Sequence, residues 1–379
     1  MRITIVMGFF LPMPPAAGGA TEKSWQQLAV EFARRGHEIT IVSRRWRGWP
    51  DRETREGVRY LRRRGYNHTA RLARNLWLDF WWSLRVWPIL PRADVTVVNC
   101  VALPAWLGWL RGRSGRLVVM PGRMPKGQYR LYRRLDCVLA VSSPVRMAVL
   151  AENPRLAPIT KILGYPIGWS ALALPRPAPV AGAPITIGFV GRLHREKGLD
   201  LLASALGLLA RQPGLPPWRA ILCGPQDVER GGSGEAYARD LNSSLAAVLP
   251  EGAFELRPPV FADDRLAEVY RSIDVFCYPS LAERGETFGV AVAEAMAAGA
   301  VPVVSQLACF GDFIHPGENG ETFDHAAPDA APRLAATLAR LLGDPVRRAR
   351  LAGAARASVQ VYDYPVFAER LLREFSTLK

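Results

Sequence analysis

Short apolar runs, most of them rich in Val, Ile or Leu and bounded by Gly, Pro, Asn or Ser, alternate along this chain with longer segments whose apolar positions recur every three or four residues. The runs have strand length and the longer segments have helical period, a pattern of parallel strands joined by crossover helices. In the first half it predicts strands at 2–7, 38–43, 94–99, 116–120, 137–141 and 159–163, with helices beginning near Gly19, Ala70, Pro104, Gln128 and Pro144. In the second half it predicts strands at 185–190, 220–223, 253–256, 275–278 and 301–304, and helices at 198–210, 235–248, 264–272, 289–298 and 331–342. Between the halves the composition shifts to Pro and Ala in GWSALALPRPAPVAGAP, which reads as a linker. The expected architecture is α/β: a first domain over 1–166, a linker over 167–184, a second domain over 185–360, and a C-terminal helix within 361–379 packed back on the first domain. The halves share no sequence self-similarity. Their likeness is architectural, two doubly wound domains facing each other with ligands at the carboxyl ends of the strands.

Composition changes this picture little. With 379 residues, 49% of them hydrophobic, the chain is long enough for two cores. Cys100, Cys137, Cys223, Cys277 and Cys309 are scattered through mostly apolar runs without a CxxC spacing, and read as buried thiols of a reducing compartment. The opening MRITIVMGFFLPMPP reads as strand and loop, not as a signal peptide, and no apolar stretch reaches the roughly 18 residues of a spanning helix. A cytoplasmic protein is expected.

Charge changes it more. Residues 1–166 hold 28 Lys and Arg against 10 Asp and Glu, whereas the remainder holds 21 against 24, so the net charge of +15 belongs to the first half. Residues 44–74 hold eleven Arg, and residues 111–134 hold eight bases with no acid. Trp46, Trp49, Trp77, Trp81, Trp82 and Trp87 lie in or just after the first cluster. Rings and guanidinium groups together suit the headgroup region of an anionic bilayer, so a peripheral position on the inner face of the cell membrane is expected. Nucleic acid is not the expected partner, since no zinc-finger, RNP-type or helix-turn-helix pattern is visible. The bland alternative is an Arg-rich surface over a core that contains the Trp residues.

Candidate chemistry gathers in two segments. In CYPSLAERGETFGVAVAEAMAAGAVPVV, residues 277–304, Glu286 and Glu294 flank a Phe-Gly pair, and Glu294 is the only charge on an Ala-rich helix. A carboxylate packed there needs a partner. Either Glu294 is simply solvated, or both carboxylates accept from hydroxyls of one ligand, a polyol or sugar. In ITIGFVGRLHREKGLDLL, residues 185–202, a strand ends in glycines and Arg192 and Lys197 follow before a helix. Two cations at a helix N-terminus suit phosphate, although Arg192 could equally pair with Glu196. The segment is neither a dinucleotide fingerprint nor a Walker loop.

GFVGRLHREKG followed roughly ninety residues later by PSLAERGETFGVAVAEAMAAGAVPVV resembles glycosyltransferase family 4, and AAGGATEKSWQQLAVEFARRGHEITIVS resembles that family's first glycine loop, helix and strand. The resemblance covers nearly the whole chain and implies a GT-B fold, two Rossmann-like doubly wound domains facing each other across a cleft. It implies a retaining, metal-independent transferase moving a sugar from a UDP- or GDP-linked donor to a glycan or lipid-linked acceptor, as in polysaccharide, lipopolysaccharide or glycolipid assembly, with no resident cofactor. By it, Arg192 and Lys197 hold the donor diphosphate, Glu294 the ribose and Glu286 the transferred sugar. Backbone at Gly191, Phe288, Gly289 and Val290 approaches phosphate or sugar, Gly224 and Val260 border the base, and Gly19 closes from the other domain. No DxD metal motif occurs. The place where many members carry a histidine reads VVMPGRMPKG, with Arg123 or the amides near Gly122 as substitutes. Two alternatives stay open: a catalytically silent relative that binds a membrane or partner, and a sugar-nucleotide epimerase.

Overall fold

The computed structural model of the protein describes residues 1–16, 19–69, 71–109, 111–176 and 182–378. The chain divides into two compact units, Met1–Pro166 with Tyr364–Lys379, and Ile167–Asp363.

Among the described residues the first unit holds β1 (Arg2–Val6), β2 (Glu38–Arg44), β3 (Arg52–Arg55), β4 (Val58–Arg63), β5 (Val95–Val98), β6 (Arg116–Val119), β7 (Cys137–Ala140) and β8 (Thr160–Ile162), in the order β3-β4-β2-β1-β5-β6-β7-β8. Only the β3–β4 pairing is antiparallel. Its helices include α1 (Ala20–Arg34), α2 (Leu72–Val86), the short α3 (Leu103–Leu107) and α4 (Arg111–Ser114), and α5 (Ser143–Glu152). The second unit holds β9 (Ile185–Val190), β10 (Trp218–Cys223), β11 (Phe254–Arg257), β12 (Val275–Tyr278), β13 (Val301–Ser305) and β14 (Glu321–Phe323), all parallel in the order β11-β10-β9-β12-β13-β14. Around that sheet run α6 (Trp169–Leu172), α7 (Leu199–Ala210), α8 (Glu235–Val248), α9 (Asp263–Arg271), α10 (Val290–Ala297), α11 (Ala330–Gly343) and α12 (Pro345–Ser358). The last helix, α13 (Tyr364–Thr377), belongs to the first unit, where Phe375 meets Phe32 of α1 edge-on at 6.1 Å and Glu374 pairs with Lys161. Central strands such as β5, β7 and β12 are buried on both faces, which is why they read as continuous apolar runs.

Several expectations need correction. The β3–β4 hairpin sits inside the arginine cluster, where charge masks strand alternation. Arg62 of β4 is fully buried, donating to the Met13 and Pro50 carbonyls and to Glu53 at 2.7–3.1 Å between the rings of Trp49 and Tyr60. Arg44 likewise bonds the Phe10 and Tyr66 carbonyls, and Arg45 pairs with Asp51, so part of this cluster serves the fold. β14 and α12 were not legible, and the helix expected near Gln128 is a single 3-10 turn, Gln128–Leu131. The Pro- and Ala-rich linker is shorter than its composition implies: Ile167 bridges Asp363, and Arg176 bonds the carbonyls of Gly299 and Ile273 at 2.8 Å, so 167–176 is part of the second unit. Residues 177–181 of that stretch, Ala17 and Gly18 of the glycine segment, and Ala70, near which a helix start was expected, lie outside the described residues. All five cysteines are buried free thiols.

Helix α2 is oriented unusually. Its polar residues Asn75, Asp79 and Ser83 face inward beside Trp82 and Val86, and all five are buried. Trp82 donates from its indole to the Met7 carbonyl at 3.0 Å. Asp79 accepts from the backbone amides of Val101 and Ala102 at 2.9 and 2.6 Å, which fixes α2 to the turn after β5. Burial pushes the Asp79 carboxyl up to about 6, against the pull of those amides. An exposed Asp titrates near about 4, so folding takes up a proton between these values; stabilisation present below about pH 4 is lost as pH rises through about 6. Asp79→Asn keeps an acceptor oxygen and cannot ionise. Its melting temperature relative to the parent should climb between about pH 4 and 7, by an equivalent of at most about 3 kcal/mol. A difference that stays flat across that window contradicts this reading of Asp79.

Candidate active site

In the second unit β9 and β12 are neighbours, with Val275 opposite Ile187 and Phe276 opposite Gly188. From β9 the chain goes to β10 on one side and returns to β12 on the other. The connections leaving the carboxyl ends of these two strands therefore diverge, and this switch point is where open parallel sheets bind ligands. Arg192 and Lys197 lie in the connection after β9, and Glu286 in that after β12.

The two connections meet through charge. The Lys197 ammonium pairs with Glu286 Oε1, and both residues are buried, 5% and 7% exposed. Tyr278 and Ser280 donate their hydroxyls to the same oxygen at 3.1 and 3.2 Å, and the Lys197 ammonium lies 5.5 Å over the Tyr278 ring. Burial first, and then the Glu286 carboxylate, push the Tyr278 hydroxyl well above its ordinary range, so it remains a donor. Arg192 pairs with Glu196 at 2.7 Å and donates to the Gly231 carbonyl at 2.9 Å. Glu196 also lies 3.9 Å from Lys197, so cations and carboxylates alternate: Arg192, Glu196, Lys197, Glu286. Its backbone carbonyl takes the Leu281 amide at 2.8 Å, tying the two connections together. His194 caps the 3-10 turn Arg195–Lys197, accepting from the Glu196 amide at 3.2 Å.

Glu294 on α10 is half-buried and accepts from the Tyr270 hydroxyl at 2.9 Å. The rings of Tyr270, Phe276 and Tyr278 follow one another at 6.0 Å each, so a continuous aromatic row joins the partner of Glu294 to the partner of Glu286. Gly289 precedes α10 at φ +96°, and a Cβ there would lie 2.5 Å from the Phe310 ring. The Phe288 side chain is core, stacked on Phe313 at 4.9 Å and edge-on to Tyr362 at 5.1 Å, which leaves only its backbone, with that of Gly289 and Val290, for any ligand. At the ends of β9 and β10, a Cβ on Gly224 would lie 1.8 Å from the Gly191 carbonyl oxygen, so these backbones touch only as glycine. The Cys223 thiol donates to the Pro258 carbonyl at 3.3 Å, which brings the segment containing Val260 to the same edge.

Gly19 belongs to the first unit, at the start of α1. Glu22 folds back over it, buried, and burial raises its carboxyl pKa while the charge of Arg123 lowers it. Sequence reasoning missed Tyr278, Ser280, Tyr270 and Glu22, and treated Glu196 only as a competitor for Arg192. Period-two alternation through CYPS would have placed Tyr278 and Ser280 on one side; nothing in the sequence singles out Tyr270.

Removing one partner of a buried ion pair strands the other. Lys197→Ala should therefore destabilise the protein by about 3 kcal/mol, and Lys197→Ala with Glu286→Gln should recover more than half of that in urea unfolding. Additive losses in the double variant contradict the pairing.

A family profile described as glycosyl transferases group 1 matches residues 184–344, and one described as glycosyltransferase family 4 matches residues 18–160. A phosphatidyl-myo-inositol mannosyltransferase of Mycobacterium tuberculosis is 32% identical over 77% of this chain and 68% of its own. Among solved structures, sucrose-phosphate synthase from Thermosynechococcus elongatus superposes with a TM-score of 0.75 at 20% identity, covering all of this chain and 98% of that one. Anabaena HepE in complex with UDP and glucose superposes at 0.71 and 17% identity, covering both chains fully. With its two parallel-sheet units and these matches, the chain belongs to glycosyltransferase family 4 and is a glycosyltransferase of GT-B fold.

Proposed function

We propose that this enzyme moves a sugar from a UDP- or GDP-linked donor, with retention of configuration and without a metal, to a glycan or lipid-linked acceptor at a membrane surface. The observation that carries the donor chemistry is the Lys197–Glu286 pair beside Arg192 at the switch point of the second unit. Both cations are held by carboxylates. A diphosphate entering there offers each a stronger partner, since charge-assisted bonds to phosphate oxygens replace those to Glu286 and Glu196. The exchange frees Glu286 to accept from hydroxyls of the transferred sugar.

As the glycosidic C–O bond breaks, negative charge grows on the departing diphosphate, where the Arg192 guanidinium and Lys197 ammonium are already oriented to neutralise it. The acceptor hydroxyl attacks the anomeric carbon from the face the diphosphate leaves, and a phosphate oxygen takes the hydroxyl proton, so configuration is retained without a carboxylate nucleophile. Glu286 is then a positioning residue for the sugar. The lipid-linked acceptor draws support from the name of the mycobacterial relative, a phosphatidyl-myo-inositol mannosyltransferase, and the membrane surface from the basic first half of the chain.

With UDP- and GDP-hexoses as donors, Glu286→Gln should lower kcat by about 10²-fold or more while donor affinity stays within about threefold, because orientation and not binding is lost. Arg192→Ala should weaken UDP or GDP binding by about tenfold or more. The product should keep the donor's anomeric configuration by NMR, and turnover should survive EDTA. Full turnover in Glu286→Gln, or an inverted product, sinks the mechanism.

A further inference from the structure

The outward face of α2 is apolar where a surface helix is ordinarily polar. Leu76, Trp77, Phe80, Trp81 and Leu84 recur at spacings of three and four, and all are exposed, Trp77 at 59% and Trp81 at 44%. Trp77 stacks on Phe80 at 6.2 Å and meets Trp81 edge-on at 5.7 Å, and Phe80 meets Trp81 at 6.2 Å, so three large rings form one solvent-facing plate. Leu72 and Trp87 extend it beyond both ends. The helix cannot be turned over to hide this face. Asp79 holds the turn after β5, Asn75 accepts from Thr69 at 2.9 Å, and Trp82 fills the core. The inside-out orientation is thus built in.

A contiguous apolar plate of this kind marks an interaction surface. Its surroundings choose the partner. Arg71, at the N-cap of the same helix, and Arg74, on its first turn, are exposed, and further along the first unit the Arg134 guanidinium lies 3.8 Å over the exposed Trp109 ring. Residues 1–166 carry 28 bases against 10 acids. A second copy of this chain would bring like charges together, whereas an anionic lipid surface is complementary to them. Trp and Phe rings flanked by arginine also match the headgroup boundary of a bilayer, where an apolar face enters and guanidinium groups meet phosphate. Among the described residues no helix is long and apolar enough to cross a membrane.

The geometry points to α2 as the docking element: it lies in the plane of an anionic bilayer with Trp77, Phe80, Trp81 and Leu84 inserted and Arg71 and Arg74 at the phosphates. The inference deepens the membrane-surface reading above and rests on it for the acceptor's location. It also places the binding on one helix and gives insertion the larger part in it, because Arg44, Arg45 and Arg62 of the preceding cluster are engaged within the fold.

The test is sedimentation of the full chain with vesicles of phosphatidylcholine and phosphatidylglycerol in equal parts, at low and high salt. The parent should bind, retain part of its binding at high salt, and shift its Trp fluorescence to the blue. Trp77→Ser with Trp81→Ser should lower the partition coefficient by about tenfold or more, with unchanged circular dichroism. Donor hydrolysis by that variant in the absence of vesicles should match the parent. A variant that partitions like the parent overturns the inference, as does a parent that ignores the vesicles, including one that instead forms a dimer dissolved by the two substitutions. Vesicle binding that follows these expectations in a protein that turns over no nucleotide sugar supports the docking face and contradicts the function proposed above.

Discussion

One buried ion pair organises the second unit. Lys197 follows β9 and Glu286 follows β12, and their contact closes the point at which the sheet's connections part. Two charges taken from water are tolerated only with good geometry and further hydrogen bonds, which Tyr278 and Ser280 supply. Such a pair is a modest source of stability but an effective source of readiness. It keeps an ammonium desolvated and oriented, and the proposed function has it exchange its carboxylate for a diphosphate. The donor chemistry proposed for the enzyme follows from that exchange of partners.

How far the sequence revealed this depends on the residue. Strand runs and helical periods located the sheet of the second unit almost completely, because parallel strands buried on both faces leave an uninterrupted apolar signature. β3 and β4 stayed hidden because Arg62, which reads as surface charge, is buried and bonded to carbonyls. Arg192, Lys197, Glu286 and Glu294 stood out as charges in glycine- and alanine-rich surroundings. What could not be read was the pairing of Lys197 with Glu286. Sequence offered Arg192 either to a phosphate beside Lys197 or to Glu196, and the structure pairs it with Glu196 while setting Lys197 on Glu286. Glu294, expected either to be solvated or to accept from a ligand's hydroxyl, accepts from that of Tyr270. Partner choice depends on which connections a sheet brings side by side, and that is a property of topology.

The tryptophans teach the same lesson in the first unit. Trp82 satisfies the bland expectation of a core residue, whereas Trp77 and Trp81 on the same helix face solvent. What separates them is the inward set of Asn75, Asp79 and Ser83, polar residues that an amphipathic pattern would assign to the outside. The bonds of Asn75 and Asp79 to loop backbone orient α2, and so a buried carboxylate helps determine which aromatic rings the surface presents.

The proposed exchange of partners at the switch point is open to direct observation. A crystal structure with a non-transferable UDP- or GDP-hexose should show the Lys197 ammonium within about 3 Å of a diphosphate oxygen and Glu286 accepting from a sugar hydroxyl. A bound donor whose diphosphate lies elsewhere, with Lys197 still on Glu286, would contradict the account.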